Sequence, residues 1–307
     1  MRGAAFAPGR LVGLLGSVLA ACAGEASLAA PPDPGMAGAA RAIEATVTRS
    51  GAEVAVAFRM LDGSCSWFLR ADDPFHAAST MKVPVLIELY RQLSAGALRL
   101  EEPLLIRNEF PSLVDGTPYR LDAAEDSETE LYLAVGSTRT LAQLADLMIT
   151  VSSNLATNLL IERLGIANIQ AEVRALGADG MQVLRGVEDG KAFRQGLNNT
   201  TTARALLTLL TAIAQGRAVD AAASRAMVAI LERQTFNDAI PAGLPAGTRV
   251  AHKTGEITGI QHDAAIVYAP RPFVLVILTR GIADPGRSAT LIADITRLLY
   301  AASQSDF

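Results

Sequence analysis

Strand-like patterns near both ends of the chain, with helical patterns between them, constrain the fold most. Residues 53–60 alternate like a strand, and the Asp62-Gly63 turn leads to a returning strand at 66–70. Further strand patterns follow at 249–255, 262–268 and 273–279. We therefore predict an α/β fold of the α+β type. One antiparallel sheet is built from both chain ends and flanked by helices, and an all-helical lobe is inserted.

The strand and helix pattern predicts two lobes, and the N-terminal composition predicts two further segments before them. The expected segments are a signal peptide with a lipobox at 1–22, a tether at 23–38, an α/β lobe made of 39–78 and 240–307, and a helical lobe at 79–239.

The N-terminus has the features of an export signal. Arg2 and Arg10 precede an apolar run, 11–21, that is too short to span a bilayer as a helix. The run ends in Leu19-Ala20-Ala21-Cys22, which resembles the lipobox of bacterial lipoproteins, where the cysteine carries the lipid. The alternative is cleavage near Ser27-Leu28-Ala29 to release a soluble periplasmic protein. We expect an exported, periplasmic protein, with a lipid anchor at Cys22 as the preferred form.

Composition excludes several classes of partner. The net charge is −4 and no basic run occurs, which argues against nucleic acid. The three histidines, His76, His252 and His262, form no cluster with metal-ligand spacing, so we expect neither a metal nor another cofactor. If Cys22 is lipidated, Cys65 has no partner for an intramolecular disulfide. A monomer acting on a small molecule is the default expectation.

A serine and a lysine three residues apart begin a helical pattern. The segment Ser79-Thr80-Met81-Lys82 precedes apolar residues at helical spacing, and Pro84 fits if it lies in the first turn. Ser79 then lies at the mouth of the helix, and Lys82 follows one turn later on the same face. A lysine in apolar surroundings can lose its proton and accept that of the serine hydroxyl. The alternative is a solvent-facing pair with chance spacing.

Two further motifs follow in order. Ser152-Ser153-Asn154 lies in a predicted turn between helices, and Lys253-Thr254-Gly255 lies on a predicted strand. With Ser79-Thr80-Met81-Lys82 they form the motif set of class A β-lactamases and penicillin-binding proteins. The chain resembles a class A serine β-lactamase over nearly all its mature length, in element order as well as in motifs.

The resemblance implies a role for each motif residue. Ser79 attacks the lactam carbonyl, Lys82 takes or relays its proton, and Ser152 passes a proton to the departing nitrogen. Asn154 binds the substrate side-chain amide. The remaining implied roles are the substrate carboxylate site, Lys253 and Thr254, and an oxyanion hole made by the backbone N–H groups of Ser79 and Glu256, the residue after Gly255.

Two departures from the family pattern concern substrate support. Ser153 stands where class A enzymes usually carry aspartate, which we expect to alter support of the turn and not the chemistry. His262 stands where these enzymes often carry an arginine that helps to bind the carboxylate. Either His262 substitutes for that arginine, more weakly and with a pH dependence, or it is a hydrogen-bonded structural histidine.

A third departure concerns deacylation. Class A enzymes use a loop glutamate, with an asparagine four residues later, to hold the water that cleaves the acyl-enzyme. Glu188 lies about where the resemblance places that glutamate, but Ala192 follows four residues later. The alternative is that Glu188 is an ordinary loop carboxylate paired with Arg185. Asn198 or Asn199 could fold back to replace the asparagine, and Asp189 is the rival to Glu188 as base.

Two activities remain open at this level. The first is a class A-like serine β-lactamase that acts through a Ser79 acyl-enzyme, with no cofactor. The alternative is a penicillin-binding, DD-peptidase-like or esterase-like serine hydrolase that deacylates β-lactams slowly. The polar stretch 108–130 has little periodicity, so we expect a long loop that borders the cleft.

Overall fold

The computed structural model describes residues 34–305. The predicted signal peptide, Cys22 and most of the predicted tether lie outside the described residues. Among residues 34–305, no helix combines the length and apolar character that crossing a membrane requires.

The helices and the long strands follow the predicted order, but the inserted segment 79–239, predicted to be all-helical, also contains five strands of two or three residues. The helices are α1 Pro34–Ser50, α2 Lys82–Ser94, α3 Glu130–Leu133, α4 Leu141–Thr150, α5 Asn154–Leu164, α6 Ile166–Ala175, α7 Gly190–Arg194, α8 Ala203–Ala214, α9 Ala221–Leu231 and α10 Pro285–Gln304. The strands are β1 Glu53–Met60, β2 Ser66–Leu69, β3 Phe75–His76, β4 Pro103–Leu105, β5 Phe110–Pro111, β6 Pro118–Tyr119, β7 Thr138–Thr140, β8 Thr200–Thr201, β9 Arg249–Ile257, β10 Ile260–Tyr268 and β11 Phe273–Arg280. Short 3₁₀ helices cover Ala78–Met81, Ala123–Glu125 and Pro241–Gly243.

Both ends of the chain build one sheet, as predicted. Its five strands run in the order β2-β1-β11-β10-β9, and every neighbouring pair is antiparallel. β1 pairs with β11 over its whole length, from Glu53 opposite Arg280 to Met60 opposite Phe273. The sheet therefore joins residues more than two hundred positions apart, and β9 forms the edge that faces the inserted helices.

Alternate residues of the central strands feed two separate hydrophobic cores. In β1, Ala55 and Ala57 belong to a core shared with α2, α4, α5, α8 and α9, whereas Val54 and Val56 belong to one shared with α1 and α10. This alternation is the period of two expected of a strand whose faces are both covered. Because helices cover both faces, the sheet is a fixed platform for the edge strand β9.

The boundary of the predicted tether needs correction. Helix α1 begins at Pro34, so residues 34–38 are helical and not part of a linker. Proline is compatible with the first helical position, since its missing N–H has no intrahelical partner there. Met36 and Ile43 are buried in the second core, which anchors the start of the helix.

Gly243 provides a test of how closely the short 3₁₀ helix packs on α10. A Cβ at Gly243 would lie 2.4 Å from the Ala293 carbonyl oxygen and 2.6 Å from the Thr296 Cβ. We predict that Gly243→Ala lowers the free energy of unfolding by roughly 1–3 kcal/mol, because backbone must shift to admit the methyl group. Urea unfolding followed by circular dichroism measures this loss.

Gly38→Ala is the matched control. Gly38 lies inside α1, and a Cβ there would have no heavy atom within 4 Å. Alanine should therefore raise the free energy of unfolding by up to about 1 kcal/mol through helix propensity. Equal effects of the two substitutions would contradict the described packing.

Candidate active site

Ser79 lies at the start of the helical segment that the sequence predicts. It belongs to the 3₁₀ turn Ala78–Met81, which leads directly into α2, and its side chain is partly exposed in a cleft. Pro84 is the third residue of α2, in the first turn as expected. Ala78 has a φ of 45°, a left-handed conformation that alanine rarely adopts. The nucleophile candidate is therefore presented by a constrained turn.

Lys82, three residues after Ser79, is completely buried. Its Nζ donates to the Ser152 carbonyl oxygen at 2.6 Å, to Ser152 Oγ at 3.1 Å and to Asn154 Oδ1 at 2.9 Å. Burial lowers the pKa of Lys82 to about 7, although the charges of Asp126 and Glu188 act in the opposite direction. A substantial neutral fraction is therefore present near pH 7, and neutral amine is the form that can accept a proton.

A second buried lysine contacts the same serine. Lys253 Nζ donates to Ser152 Oγ at 2.9 Å and to the Thr254 carbonyl oxygen at 2.9 Å. Burial and the neighbouring Lys82 lower the pKa of Lys253 well below its usual value, while Asp263 opposes them. The backbone of Ser152 is strained, with a φ of 60°, and this turn between α4 and α5 places the Ser152 hydroxyl between the two amines.

Gly255 lets the edge strand approach the nucleophile. A Cβ at this position would lie 3.1 Å from the backbone nitrogens of Ser79 and Thr80. The backbone of β9 thus runs alongside the turn that carries Ser79, and Thr254, Gly255 and Glu256 line the cleft. Because Ser79 and Glu256 both line the cleft at this close approach, their peptide N–H groups remain the candidates for the expected oxyanion hole.

The loop before α7 brings Glu188 into the cleft. Its Oε1 accepts a hydrogen bond from Asn154 Nδ2 at 2.9 Å, and its Oε2 accepts one from the Asp122 backbone N–H at 3.1 Å. Burial raises the pKa of Glu188, against the effect of these two hydrogen bonds. Asn154 therefore links Glu188 to Lys82, and the carboxylate is a stronger base than an exposed glutamate.

Asn158 supports the Glu188 loop, and sequence reasoning missed it. One turn after Asn154 on α5, its Oδ1 accepts from the Val187 N–H at 2.6 Å and its Nδ2 donates to the Val187 carbonyl oxygen at 3.0 Å. These two bonds fix the peptide groups next to Glu188, which has a φ of 61°. The helical spacing of Asn154 and Asn158 was the signal available in the sequence.

The other acidic residue of this loop has a different role. Asp189 is buried and forms the N-cap of α7, accepting from the Ala192 N–H. It also accepts from Ser112 Oγ at 2.9 Å and from the Leu113 N–H at 2.8 Å. Its oxygens are therefore held by the loop 108–130, and Glu188 is the carboxylate that faces Asn154.

The expected replacements for the missing loop asparagine do not reach Glu188. Asn198 Oδ1 accepts from Arg185 Nη2, and Asn199 Oδ1 accepts from the backbone N–H groups of Leu184 and Arg185. These contacts close the base of the loop. The hypothesis that Asn198 or Asn199 folds back to Glu188 is wrong, because their side-chain oxygens face Arg185 and Leu184, whereas the Glu188 carboxylate accepts from Asn154 and Asp122.

His262 also needs correction as a carboxylate ligand. It is fully buried, its Nε2 lies 2.8 Å from the His76 carbonyl oxygen, and its Nδ1 accepts from the Thr279 N–H at 3.2 Å. Burial lowers the pKa of His262 to about 4, so the ring is neutral at pH 7. Of the two alternatives, the structural histidine is correct. Its backbone lies opposite Gly255 on β9, and its ring links β10 to His76 in the segment before Ser79.

The cleft has the size of a small-molecule site. Its volume is about 1030 Å³, at the upper end of ligand pockets in proteins. Glu125 and Ser127 line it, so the polar stretch 108–130 borders the cleft as predicted, although the stretch also contains the short strands β5 and β6. Within residues 34–305, no group of three or more His, Cys, Asp or Glu side chains is arranged to hold a metal ion.

Comparisons with known proteins agree with this geometry. The model of the β-lactamase enzyme family matches residues 38–303. A β-lactamase of Bacillus licheniformis is 31% identical over 247 residues, which cover 76% of this chain and 73% of that protein.

Solved structures show the same fold. The crystal structure of a β-lactamase from Sphaerobacter thermophilus has a TM-score of 0.75 and 27% identity, covering 87% of this chain and 96% of that one. The structure of PBP-A has a TM-score of 0.75 and 30% identity, covering 89% of this chain and 98% of that one. With all three motifs gathered around one cleft, the chain belongs to the β-lactamase enzyme family.

Proposed function

We propose that this protein is a class A-like serine β-lactamase, which hydrolyses the lactam amide bond through an acyl-enzyme on Ser79. The observation that carries the proposal is the Glu188 carboxylate at the cleft, bonded to Asn154 and through it to Lys82. A nucleophile, a buried amine and a separate carboxylate base are the groups that acylation and deacylation require.

Acylation begins with proton transfer from the Ser79 hydroxyl. Neutral Lys82 accepts this proton as Ser79 Oγ attacks the lactam carbonyl carbon, and the carbonyl oxygen becomes an oxyanion. The N–H groups of Ser79 and Glu256 stabilise that charge. The lysine pKa near 7 supports this step, because the proton acceptor is then matched to neutral pH.

Ring opening requires a proton on the lactam nitrogen. Ser152 Oγ donates it and is reprotonated from Lys82 or Lys253, both of which contact that oxygen. The substrate carboxylate binds at Lys253 and Thr254, since His262 is neutral and buried. A bound carboxylate favours the protonated form of Lys253 and so strengthens its own charge-assisted hydrogen bond.

Deacylation uses the second base. Glu188 removes a proton from a water molecule, whose oxygen attacks the ester carbonyl carbon. The bond from that carbon to Ser79 Oγ then breaks, and the proton taken up by Glu188 returns to the serine oxygen. The raised pKa of Glu188 makes it a better proton acceptor at neutral pH than an ordinary glutamate. Asn154 takes part by orienting the carboxylate, so it contributes to deacylation as well as to binding the substrate amide.

Glu188→Gln tests the proposal. The amide keeps the shape of the side chain but cannot accept the proton of water. With a chromogenic cephalosporin, we expect wild type to turn over many equivalents. The variant should accumulate a stable adduct on Ser79, with the hydrolysis rate falling by about 100-fold or more. Intact-protein mass spectrometry over time measures the adduct.

Glu109→Gln is the control. Glu109 is a surface carboxylate paired with Arg120, and its loss should leave turnover unchanged. If wild type and Glu188→Gln both retain the adduct with little turnover, the slow-deacylating penicillin-binding alternative is correct. The similarity to PBP-A is the observation that favours that alternative. If neither forms an adduct, the assignment of Ser79 is wrong.

We also propose that the protein is exported to the periplasm and anchored by a lipid on Cys22, acting there as a monomer. The apolar run and the sequence Leu19-Ala20-Ala21-Cys22 support this proposal. Growth with radiolabelled palmitate should label wild type but not Cys22→Ser, and the variant should appear in the soluble periplasmic fraction. Unlabelled wild type in that fraction would establish the soluble alternative.

A further inference from the structure

A buried carboxylate outside the three motifs contacts the second motif. Asp126 lies in the polar loop, is 7% exposed, and directs Oδ2 at the beginning of α5. This oxygen accepts from the Asn154 N–H at 2.8 Å, the Leu155 N–H at 2.9 Å and the Tyr132 hydroxyl at 2.9 Å. Ser153 Oγ lies 3.4 Å away.

These contacts satisfy the free end of a helix. The first N–H groups of a helix have no intrahelical acceptor and carry a partial positive charge. Ser153 is the N-cap of α5, and its side-chain hydroxyl accepts from the Ala156 N–H at 3.2 Å. Asp126 accepts from the two N–H groups before it. The short serine side chain is thus complemented by a carboxylate from twenty-seven residues earlier in the chain (153 − 126).

The same turn carries the side chains that contact Lys82. Ser152 and Asn154 flank Ser153, and both accept hydrogen bonds from Lys82 Nζ. Ser152 has a left-handed φ of 60°, which costs free energy unless surrounding contacts maintain it. The bond from the Asn154 N–H to Asp126 fixes the backbone two residues after the strained Ser152.

We propose that Asp126 is a positioning residue of this active site: it anchors the turn 152–154 so that Ser152 and Asn154 reach Lys82, and its negative charge acts on Lys82 through that turn. The proposal rests on the proposed function. Ser153 is then not a loss of support, because the carboxylate comes from the polar loop and lies 3.4 Å from the Ser153 hydroxyl.

The electrostatic part follows from the groups around Lys82. Asp126 from the polar loop and Glu188 from the loop before α7 both raise its pKa against burial, and Lys253 faces it from β9. Catalysis by neutral Lys82 requires a pH above its pKa. Removing the charge of Asp126 lowers that pKa, so the acid limb of the pH profile must move to lower pH.

Asp126→Asn tests both parts. We expect kcat/KM for acylation to fall by about 100-fold, because the loss of the anchor displaces the turn. The acid limb should move to lower pH, which a purely structural defect would not cause. Backbone amides of Asn154 and Leu155 should exchange with deuterium faster than in wild type, since they lose their charged acceptor.

Glu128→Gln is the matched control in the same loop. The Glu128 side chain caps a neighbouring turn by accepting from the Glu130 N–H and has no contact with the motif. The Glu128→Gln variant should have the same kcat/KM, pH profile and amide exchange as wild type.

The double variant Asp126→Ser with Ser153→Asp relocates the carboxylate to the motif position. It should recover most of the lost rate and return the acid limb toward the wild-type pH, because the charge again lies at the start of α5. If Asp126→Asn fails to fold, the double variant still tests the proposal, because it keeps one carboxylate and one hydroxyl at the site.

The outcomes are distinguishable. The proposal is overturned if Asp126→Asn matches Glu128→Gln in rate, acid limb and exchange, or if the relocated carboxylate leaves the acid limb displaced. If wild type forms no acyl-enzyme, the proposed function fails. Exchange at Asn154 and Leu155 then decides the anchoring by Asp126 independently, with unchanged exchange in Asp126→Asn as the contradicting result.

Discussion

The hydroxyl of Ser152 between two buried lysines is the interaction on which the site depends. Lys82 comes from α2, Lys253 from the sheet edge β9, and Ser152 from the turn between α4 and α5. Burying two positively charged amines beside one oxygen costs free energy, unless at least one amine is neutral or carboxylates lie nearby. The fold meets this condition by lowering both lysine pKa values through burial while placing Asp126, Glu188 and Asp263 nearby.

The residues that carry chemistry are held by residues that do not. Asn158 fixes the peptide before Glu188, His262 ties β10 to the segment before Ser79, and Asp126 accepts from the start of α5. Backbone strain is concentrated at the same positions, since Ser152 and Glu188 both have positive φ values. The surrounding hydrogen bonds maintain these conformations, which direct the side chains into the cleft.

The sequence predicts the sheet, the order of the helices and the three motifs, because hydrophobic period and short spacing are local properties. The supporting residues were harder to predict. Asp126 and Ser153 are close only in space, and nothing in the local pattern distinguishes Asp126 from other loop carboxylates. The sequence allowed a charged His262 that binds the substrate carboxylate. The ring is instead buried by contacts with β3 and β11, which local sequence does not reveal. Contacts between segments that are distant in the sequence therefore decide which polar residues take part in the chemistry and which only hold those residues in place.

The central requirement is that Lys82 loses its proton near neutral pH. Carbon-detected NMR of protein with isotopically labelled lysine side chains, assigned by comparison with Lys82→Arg, measures this directly. Burial predicts one lysine signal that titrates at a pKa of about 7 and is missing in the variant. A Lys82 signal that titrates near the ordinary value of 10.5 would show that the amine stays charged, and would contradict its role as the base for Ser79.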